Sequence, residues 1–476
     1  MKESCHPLII DLDGTLILTD SLHETLLILI KERPYSIFRL IKILFQGKAK
    51  FKKFVYEQVG YKADKMPYRS EIVDYILQEK LKGRKIYLAT AAYKGIADKT
   101  ADFIQCFDGV IATDAEHNLK GIRKLEVIQQ KIGQDFIYAG DSDADIAIWK
   151  NSCGAIIVGD KVKKLTKKIQ SENIPIIKHF GNSDFNLAIW FKAIRLHQWL
   201  KNILLFVPLL TAFEFYDLHK LYNTVIAFLA FSLGASATYI FNDLWDLQND
   251  RDHLNKRLRP FAAGKLSIVQ GIKASIILLI SAILIAIYVS WSFLGIFLLY
   301  LLITTLYSFR LKRVVLLDII VLSVLYTIRI FAGGIVTNIN ISYSLLAFSV
   351  LIFLSLASVK RCAELVAIPE EKNEITGRGY IKSDLDILWP FGLSTYIGAI
   401  ILFGFYINAP DTIILYNRPS LLWLVQLFMI YLIGNLWMMT RRGFMHDDPI
   451  VYLIQDKKSL LLLALIICVV SIARFI

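Results

Sequence analysis

Two aspartates separated by one residue, Asp11 and Asp13, follow the short apolar run PLII near the start of the chain. A carboxylate can attack a phosphorus atom as a nucleophile. A second carboxyl group two residues away can protonate the leaving oxygen. This pair therefore indicates phosphoryl chemistry, with Asp11 as the nucleophile and Asp13 as the acid.

Further groups suited to phosphate chemistry lie at the ends of later apolar runs. Thr90 ends the run KIYLAT, Lys120 lies in LKG, and Asp141 and Asp145 follow FIYAG. If these runs are parallel strands, their carboxyl ends meet at one edge of a sheet, where α/β folds bind ligands. Thr90 and Lys120 would then hold the phosphoryl oxygens, although Lys124, one helical turn further on, could replace Lys120.

The same acidic residues have the oxygen chemistry of a magnesium site. Asp141 and Asp145, with Asp11 and the backbone carbonyl of Asp13, would form the hard oxygen shell that Mg²⁺ prefers. Asp143, which lies between two of these ligands, is either a group outside that shell or a turn residue. We therefore predict a Mg²⁺-dependent site.

The order of these motifs resembles the haloacid-dehalogenase (HAD) superfamily of phosphohydrolases. DLDGT, Thr90, Lys120 and GDSDAD carry the resemblance, which covers about 170 residues. It implies a Rossmann-like α/β domain acting as a phosphatase. The residues between Asp13 and Thr90 have a helical pattern, as in members with a cap inserted there.

A second acidic stretch, FNDLWDLQNDRDHLNKRLRPFAAG, lies between two long apolar runs at positions 241–264. On a helix, Asp243, Asp246 and Asp250 would share one face. Like charges this close repel each other, and a Mg²⁺ ion bound to a diphosphate would resolve the repulsion. A charged loop that merely obeys membrane topology would explain the basic residues of the stretch but not these aspartates.

The composition of the chain indicates two kinds of domain that position these groups. The 476 residues are 55% hydrophobic and 20% charged, which is too apolar for one soluble protein and too charged for a purely membrane protein. Residues 1–184 alternate short apolar runs with amphipathic segments, which predicts an α/β domain. Residues 185–476 predict an all-α polytopic membrane bundle. It has about nine spans, near residues 202–216, 222–241, 273–290, 293–309, 315–336, 342–359, 389–407, 420–439 and 459–475.

The charge distribution predicts the orientation of that bundle. The net charge is +13, and Lys and Arg collect in alternate loops. By the positive-inside rule, the α/β domain and the aspartate-rich loops are cytoplasmic and the C-terminus is outside, as in a bacterial inner-membrane protein. No apolar signal-peptide region begins the chain, and five scattered cysteines suit a reduced compartment. No nucleic-acid recognition motif accompanies the charge, so we expect no nucleic-acid partner.

The basic amphipathic segment at positions 23–54 has two interpretations. It could contact anionic lipid, or it could form a helical cap packed on the soluble domain. We favour the cap, which is the more ordinary role for an amphipathic segment next to an α/β domain.

The pattern NDxxDxxxD after the second apolar segment resembles the UbiA family of intramembrane prenyltransferases, over roughly residues 190–476. The resemblance implies helices around a central cavity, Mg²⁺ and a polyprenyl diphosphate. That family uses a second aspartate motif, but here only Asp318 stands in YSFRLKRVVLLDIIVLSVLYTIRIFAGG. Arg329 follows in an apolar helix, where it needs an anionic ligand or a carboxylate from another helix.

Further segments resemble one subfamily, the decaprenyl-phosphate phosphoribosyltransferases: RLHQWLKN, YSFRLKR, TIRIFAGG and KRCAEL. This resemblance implies phosphoribosyl pyrophosphate (PRPP) and a polyprenyl phosphate as substrates. The candidate substrate-binding residues are Arg195, Lys201, Asn242, Lys256, Arg257, Arg259, Tyr307, Lys312, Arg329, Lys360, Arg361, Glu364 and Arg378.

These observations predict a bifunctional membrane enzyme. It would transfer phosphoribose to a lipid phosphate and then remove the 5-phosphate of the ribose with its α/β domain. Two alternatives stay open: a prenyltransferase that acts on an aromatic or other small acceptor, and a non-catalytic anchor for a soluble phosphatase.

Overall fold

The computed structural model describes residues 6–160, 162–181, 186–253, 255–368, 378–445 and 449–476. The chain forms two compact units. The first unit comprises Met1–Ile194 and Tyr239–Ser275, and the second comprises Arg195–Thr238 and Ile276–Ile476. These units differ from the predicted domains 1–184 and 185–476, because the acidic stretch at 241–264 belongs to the first unit.

The first unit contains a six-stranded parallel sheet, which confirms the predicted α/β fold. The strands are β1 (Leu8–Ile10), β2 (Ile86–Tyr93), β3 (Gly109–Thr113), β4 (Ile137–Gly140), β5 (Gly154–Gly159) and β6 (Ile176–Gly181). Their order across the sheet is β3-β2-β1-β4-β5-β6. The interior strands β1, β4 and β5 are buried throughout, as expected for strands covered on both faces. The chain order reverses between β1 and β4, where open α/β sheets bind ligands.

In the described residues up to position 194, nine α-helices accompany this sheet. They are α1 (Ser21–Glu32), α2 (Ile37–Leu44), α3 (Lys48–Val59), α4 (Ser70–Leu81), α5 (Lys94–Ile104), α6 (Ile122–Lys131), α7 (Ile146–Trp149), α8 (Val162–Gln170) and α9 (Leu187–Ala193). Helices α1 to α4 form the helical insertion predicted between β1 and β2. Its first three helices share a small apolar cluster built on Leu29, Leu40 and Val55.

The remainder of the described chain is helical. The helices are α10 (Val207–Thr211), α11 (Leu218–Trp245), α12 (Leu247–Asp252), α13 (Ile268–Val289), α14 (Trp291–Phe309), α15 (Leu317–Thr337), α16 (Tyr343–Val366), α17 (Leu385–Ile407), α18 (Pro410–Leu415), α19 (Leu422–Arg441), α20 (Pro449–Gln455) and α21 (Lys457–Phe475). Within the described residues, eight helices are long and apolar enough to cross a membrane. A bilayer core of about 30 Å needs about 20 apolar residues in a helix, so this part of the chain is built to be membrane-embedded.

The predicted count of nine spans is not confirmed by the described residues. The first predicted span, 202–216, consists of a 3₁₀ helix (Leu196–Phe206) followed by the five-residue α10. Pro208 lies at the start of α10, where its missing N–H is tolerated. Phe213, with φ of +56°, follows α10. The run is therefore apolar enough for a span but is divided into pieces that are too short.

Close backbone contact shapes the second unit. A Cβ atom added to Gly333 of α15 would lie 2.1 Å from the carbonyl oxygen of Leu205. Small residues allow this kind of approach between membrane helices. Gly333 therefore lets α15 pack against the 3₁₀ segment that replaces the first predicted span.

Candidate functional sites

Three carboxylates converge at the carboxyl edge of the sheet. Asp11 follows β1, Asp141 follows β4, and Asp145 ends the 3₁₀ turn after it. Oxygen atoms of the three side chains all lie within 4.8 Å of one another, and no other acidic, histidine or cysteine trio in the described ranges is as compact. Parallel pairing of β1 with β4 brings the first two together, as the sequence predicted.

The lysine at this cluster is Lys124 of α6. Its Nζ donates to Asp11 Oδ2 at 2.9 Å and lies 3.8 Å from Asp145 Oδ1. Lys124 is buried, whereas Lys120 is exposed. The structure therefore places Lys124, and not Lys120, against Asp11, because α6 begins at Ile122 and turns the later lysine toward that carboxylate. Which lysine holds the phosphoryl oxygens stays a prediction.

Two groups that the sequence analysis missed orient Asp145. Asp145 Oδ2 accepts from the backbone N–H of Ser142 at 3.0 Å and from its hydroxyl at 2.8 Å. Asp145 Oδ1 accepts from the Tyr138 hydroxyl, which in turn accepts from Lys124. The spacing Ser-x-x-Asp in GDSDAD is a capping pattern that could have revealed Ser142. Tyr138 lies in a buried strand and has no such signal.

Asp143 forms a surface ion pair and is not part of the carboxylate cluster. Its carboxylate accepts from Lys168 Nζ at 2.6 Å, and both side chains are largely exposed. Of the two roles left open, the turn residue is the one that this surface ion pair fits.

The electrostatics of the cluster suit a bound cation. Burial raises the pKa of Asp141 to about 8, and the charges of Asp11 and Asp145 add to the effect. Burial also raises the pKa of Asp11, against the opposing charge of Lys124. A divalent ion would offset this repulsion between buried carboxylates. Gly14, with φ of +75°, leaves the necessary space, since a Cβ atom there would lie 2.2 Å from Asp141 Oδ2.

Asp13, which follows β1, has a raised pKa. Burial raises its pKa to about 7, and the nearby charge of Asp20 raises it further. Its Oδ1 accepts from the backbone N–H of Ser21 at 2.8 Å. Thr90 is buried in β2 and its Oγ1 accepts from the backbone N–H of Ala92 at 3.0 Å. Asp13 therefore follows β1 as predicted, whereas Thr90 lies inside β2 and not after it, because β2 continues to Tyr93.

The helical insertion contributes a cation that the sequence analysis did not single out. Lys52 of α3 donates to the carbonyl of Ala91, at the end of β2, at 2.6 Å and to Asn118 at 2.8 Å. Burial lowers the pKa of Lys52, while the charge of Asp13 opposes that change. Since Lys52 is one of many basic residues in its segment, its spacing carries no distinguishing signal.

The second acidic stretch is charge-paired within the first unit. Arg259 Nη1 lies 3.1 Å from Asp243 Oδ1 and 2.6 Å from Asp250 Oδ2, and both aspartates are buried. Asp246 lies 3.5 Å from Lys31 of α1. The prediction that the three aspartates share one helical face is wrong in detail, because α11 ends at Trp245 and Asp246 caps α12.

The same stretch is fixed to the helical insertion by a buried ion pair. Arg251 donates to both carboxylate oxygens of Glu24, at 2.6 and 3.1 Å, and both side chains are buried. Arg251 also donates to the carbonyl of Lys65 at 3.3 Å, and Lys31 donates to the carbonyl of Trp245 at 2.7 Å. The stretch is therefore held in place by partners more than 180 residues away in sequence.

In the second unit, a charged cluster surrounds Asp318. The Tyr307 hydroxyl donates to Asp318 Oδ1 at 2.7 Å, and Arg378 Nη1 lies 3.2 Å from the same oxygen. Arg361 Nη2 lies 2.7 Å from Asp318 Oδ2, close enough for an ion pair but not aligned as a hydrogen bond. Arg361 also pairs with Glu364. Four predicted substrate-binding residues thus meet around the lone aspartate.

Arg329 has neutral partners in the described structure. Its Nε donates to Asn202 Oδ1 at 2.8 Å and its Nη2 donates to the Tyr300 hydroxyl at 3.0 Å. The guanidinium also lies 4.8 Å from the centre of the Tyr300 ring. Lys201 Nζ lies 5.5 Å from the centre of the Tyr326 ring, so aromatic faces accompany both cations.

The remaining predicted substrate-binding residues are partly or fully accessible and fall in both units. Arg257 is exposed, and five others are half-buried: Arg195, Asn242, Lys256, Lys312 and Lys360. Asn242, Lys256, Arg257 and Arg259 belong to the first unit, and the others belong to the second. Their roles stay predictions.

Comparison with known proteins identifies a family match to the membrane part and a relative that covers nearly the whole chain. Residues 204–449 match the UbiA prenyltransferase family. The uncharacterized protein y4nM of Sinorhizobium fredii is 38% identical over 462 residues, which is 97% of this chain and 89% of that protein. The nodulation protein NoeC of Azorhizobium caulinodans is 33% identical over 59% of this chain and 90% of its own length. The decaprenyl-phosphate phosphoribosyltransferase of Mycobacterium tuberculosis is 35% identical over 37% of this chain and 59% of its own length.

Solved structures with some likeness include a UbiA homolog from Archaeoglobus fulgidus bound to GPP and Mg²⁺. It is 15% identical, covers 60% of this chain and 99% of its own, and superposes with a TM-score of 0.43. A structure of digeranylgeranylglyceryl phosphate synthase has the same TM-score at 18% identity and covers 60% of this chain and 96% of its own.

Proposed function

Because the chain belongs to the UbiA prenyltransferase family, a family of membrane-embedded transferases, we propose that it transfers phosphoribose from PRPP to a polyprenyl phosphate. The lipid phosphate oxygen attacks the anomeric carbon of the ribose, and pyrophosphate leaves. The α/β part of the chain then hydrolyses the 5-phosphate. The product is a ribosylated lipid phosphate.

The observation that carries the choice of donor is the state of Asp318. This carboxylate is buried, and Tyr307, Arg361 and Arg378 already engage it. Asp318 could not act as a second metal ligand without giving up these pairs, and unpairing a buried charge is costly. With Asp318 engaged, one acidic stretch is left to bind a Mg²⁺–diphosphate. A single acidic stretch suits PRPP as the donor better than a polyprenyl diphosphate, for which the family uses two aspartate motifs. Relatives named decaprenyl-phosphate phosphoribosyltransferase, 29–35% identical, support the same donor.

The residues that would hold Mg²⁺ with the diphosphate are Asp243, Asp246 and Asp250. Their oxygens are suitable ligands, and the ion would supply charge stabilisation for the leaving pyrophosphate. In the described structure, Arg259 forms ion pairs with Asp243 and Asp250. Since guanidinium groups bind phosphate as readily as carboxylate, Arg259 can exchange its aspartates for the incoming diphosphate.

The phosphatase step rests on the carboxylate cluster of the sheet edge. Asp11 attacks the phosphorus, and Asp13, with its pKa of about 7, delivers a proton to the leaving oxygen. Water then attacks the phosphorus of the aspartyl phosphate, Asp13 accepts a proton from the water, and inorganic phosphate leaves as Asp11 is regenerated. Lys124 neutralises Asp11 and Thr90 binds the phosphoryl group. Asp11, Asp141 and Asp145 would hold Mg²⁺, which supplies further charge neutralisation. A shared chain raises the effective concentration of the phosphorylated product at this site.

The test is to incubate the full chain in liposomes with PRPP, a polyprenyl phosphate and Mg²⁺, and to determine the mass of the extracted lipid. A lipid that gains ribose without the 5-phosphate supports both steps. A lipid that gains phosphoribose and keeps the phosphate supports the transferase and contradicts the phosphatase step.

A second candidate is prenyl transfer from a polyprenyl diphosphate to a small acceptor, which the name of the matched family favours. A parallel incubation with polyprenyl diphosphate and an aromatic acceptor separates the two. Product formation there, with no mass gain from PRPP, would replace the first proposal by the second.

A further inference from the structure

Helix α2 and its flanking residues present large apolar side chains to solvent in the described chain. Their exposed fractions are Tyr35 87%, Phe38 75%, Ile41 56%, Leu44 53% and Phe45 88%. Single exposed apolar residues are ordinary, but a contiguous group on one short segment marks an interaction site. We call these five residues the α2 surface.

The fold itself does not require the α2 surface. The opposite side of α2 presents Leu40, which is buried in the small cluster with Leu29 and Val55. Phe38, Ile41 and Phe45 follow one another at spacings of three and four residues, so they lie along one outer stripe. The helix therefore packs on the insertion through one face and keeps a second apolar face for another partner.

The charge of the segment identifies the chemistry of that partner. Positions 33–53 contain seven basic residues and no acidic one. The basic residues are Arg33, Arg39, Lys42, Lys48, Lys50, Lys52 and Lys53. Five of them, all but Lys52 and Lys53, are exposed. A surface that combines aromatic side chains with an unbalanced positive charge matches the interface of a bilayer with anionic lipid.

We propose that the α2 surface docks on anionic lipid of the membrane in which this chain is embedded. Eight apolar helices on the same chain keep such a membrane within reach, so weak interfacial binding suffices. Phe38, Ile41 and Phe45 enter the boundary between headgroups and acyl chains. Arg39, Lys42 and Lys48 contact the lipid phosphates. The segment is thus both the cap that the sequence favoured and the lipid contact that it left as the alternative.

Docking would have a consequence for the phosphatase edge, if the proposed function holds. Lys52, from the next helix of the same insertion, donates to the carbonyl of Ala91 near the end of β2. Asp13 lies close enough for its charge to act on Lys52. A lipid-bound insertion would keep that edge close to a lipid-linked substrate. The docking itself does not depend on either proposed activity.

Photocrosslinking of the full chain in nanodiscs tests the proposal. Phe38 is replaced by the photoreactive analogue p-benzoylphenylalanine, which preserves an aromatic side chain. Leu81, at the end of α4 and 89% exposed, receives the same replacement as the matched control. Nanodiscs contain phosphatidylcholine alone or with phosphatidylglycerol, and mass spectrometry of the labelled peptide identifies its adducts.

We expect phospholipid adducts at position 38 in several-fold excess over position 81, with a larger yield when phosphatidylglycerol is present. Equal yields at the two positions would overturn the proposal. Crosslinks from position 38 to a second copy of the chain, in place of lipid, would overturn it in favour of a dimer interface.

Charge reversal tests how much the basic residues near the α2 surface contribute to lipid docking. The double variant Arg39→Glu/Lys42→Glu should remove the extra yield that phosphatidylglycerol produces. The matched double variant Arg123→Glu/Lys131→Glu, on exposed positions of α6, should retain it. A retained lipid dependence in the first variant would contradict the proposed role of the α2 charges.

Discussion

The first unit contains two groups of aspartates, and they differ in how many cationic side chains are paired with them. Asp11, Asp141 and Asp145 bring oxygen atoms within 4.8 Å of one another and share one lysine. The stretch from 241 to 264 instead pairs its aspartates with Arg259 and Lys31. The first group has three carboxylates for one lysine and so keeps negative charge that a metal ion would neutralise, whereas in the second each of the three aspartates is paired with a cation. Proximity of carboxylates along the chain is therefore a poor measure of readiness for a metal.

The difference follows from the elements that carry the two groups. At the sheet edge, pairing of β1 with β4 fixes the separation of Asp11 and Asp141, and Lys124 reaches the cluster from α6. At the end of α11, the chain turns at Asp246 before α12. Arginine and lysine side chains from other segments reach the carboxylates there, because flexible cationic side chains span several ångströms.

The largest expected effect comes from Asp11→Asn, which removes the proposed nucleophile without changing its shape. Phosphatase activity toward p-nitrophenyl phosphate should fall by at least about 10³-fold. Asp143→Asn, which changes an exposed carboxylate paired with Lys168 and Lys164, should retain activity. An Asp11→Asn protein with most of its activity would remove the carboxylate cluster from the reaction.

Asp243→Asn should reduce the transfer of phosphoribose by about 10²-fold, because it removes a metal ligand and charge stabilisation at the leaving diphosphate. The rate of labelled lipid formation from PRPP measures this loss at several Mg²⁺ concentrations. Asp252→Asn, at an exposed carboxylate that pairs with Lys65, is the matched control. Equal rates in the two variants would mean that the acidic stretch is structural.

The pH dependence of stability should distinguish the first group when metal is chelated. Asp13 and Asp141 have folded-state pKa values of about 7 and about 8, above the ordinary value of 3.8. A carboxyl group whose pKa rises on folding contributes stability at low pH that is lost as the pH passes through the folded pKa. The unfolding free energy should fall by at least about 3 kcal/mol between pH 5 and pH 8, since Asp13 alone accounts for about that much and Asp141 adds to it.

Thermal unfolding of the detergent-solubilised chain in EDTA checks this pH dependence. Mg²⁺ should restore stability more at pH 8 than at pH 5, since the ion competes with protons for the same oxygens. Asp141→Asn should flatten the slope. A slope of the opposite sign in wild-type protein would contradict the charge state assigned to the cluster.

The smallest expected effect is that of Arg259→Gln. It leaves the buried aspartates Asp243 and Asp250 without their cation, which should cost about 1–3 kcal/mol of stability. Mg²⁺ should then raise the melting temperature more than it does in wild type, since the ion can replace the missing charge. An unchanged response to Mg²⁺ would indicate that the two carboxylates cannot form a metal site even when free of Arg259.

Much of the sheet edge could be predicted from sequence because strand ends are local features. Asp11, Thr90 and Asp141 terminate apolar runs or lie in them, and parallel pairing then brings them together. Lys124 was harder to choose over Lys120, because the two lysines differ only by one helical turn. The start of α6 at Ile122 decided between them.

In the membrane part, too, properties of a single segment could be predicted from the sequence, but the points where helices begin and end could not. Apolar length predicted the eight spanning helices, because hydropathy over about 20 residues is a property of the segment alone. The 202–216 segment has suitable hydropathy but forms a 3₁₀ helix and α10. Hydropathy does not report where Pro208 or a left-handed residue such as Phe213 divides a run.

By itself, the sequence determined the types of chemistry: carboxylates after strands, an acidic stretch between apolar segments, and a basic amphipathic insertion. Only the tertiary structure decided which cation meets which acid. Glu24 and Arg251 are 227 positions apart and form a buried pair, while Arg259 neutralises Asp243 and Asp250. Ion pairs need separations of a few ångströms. Packing of distant parts of the chain sets those separations, and the spacing of residues in the sequence does not encode them.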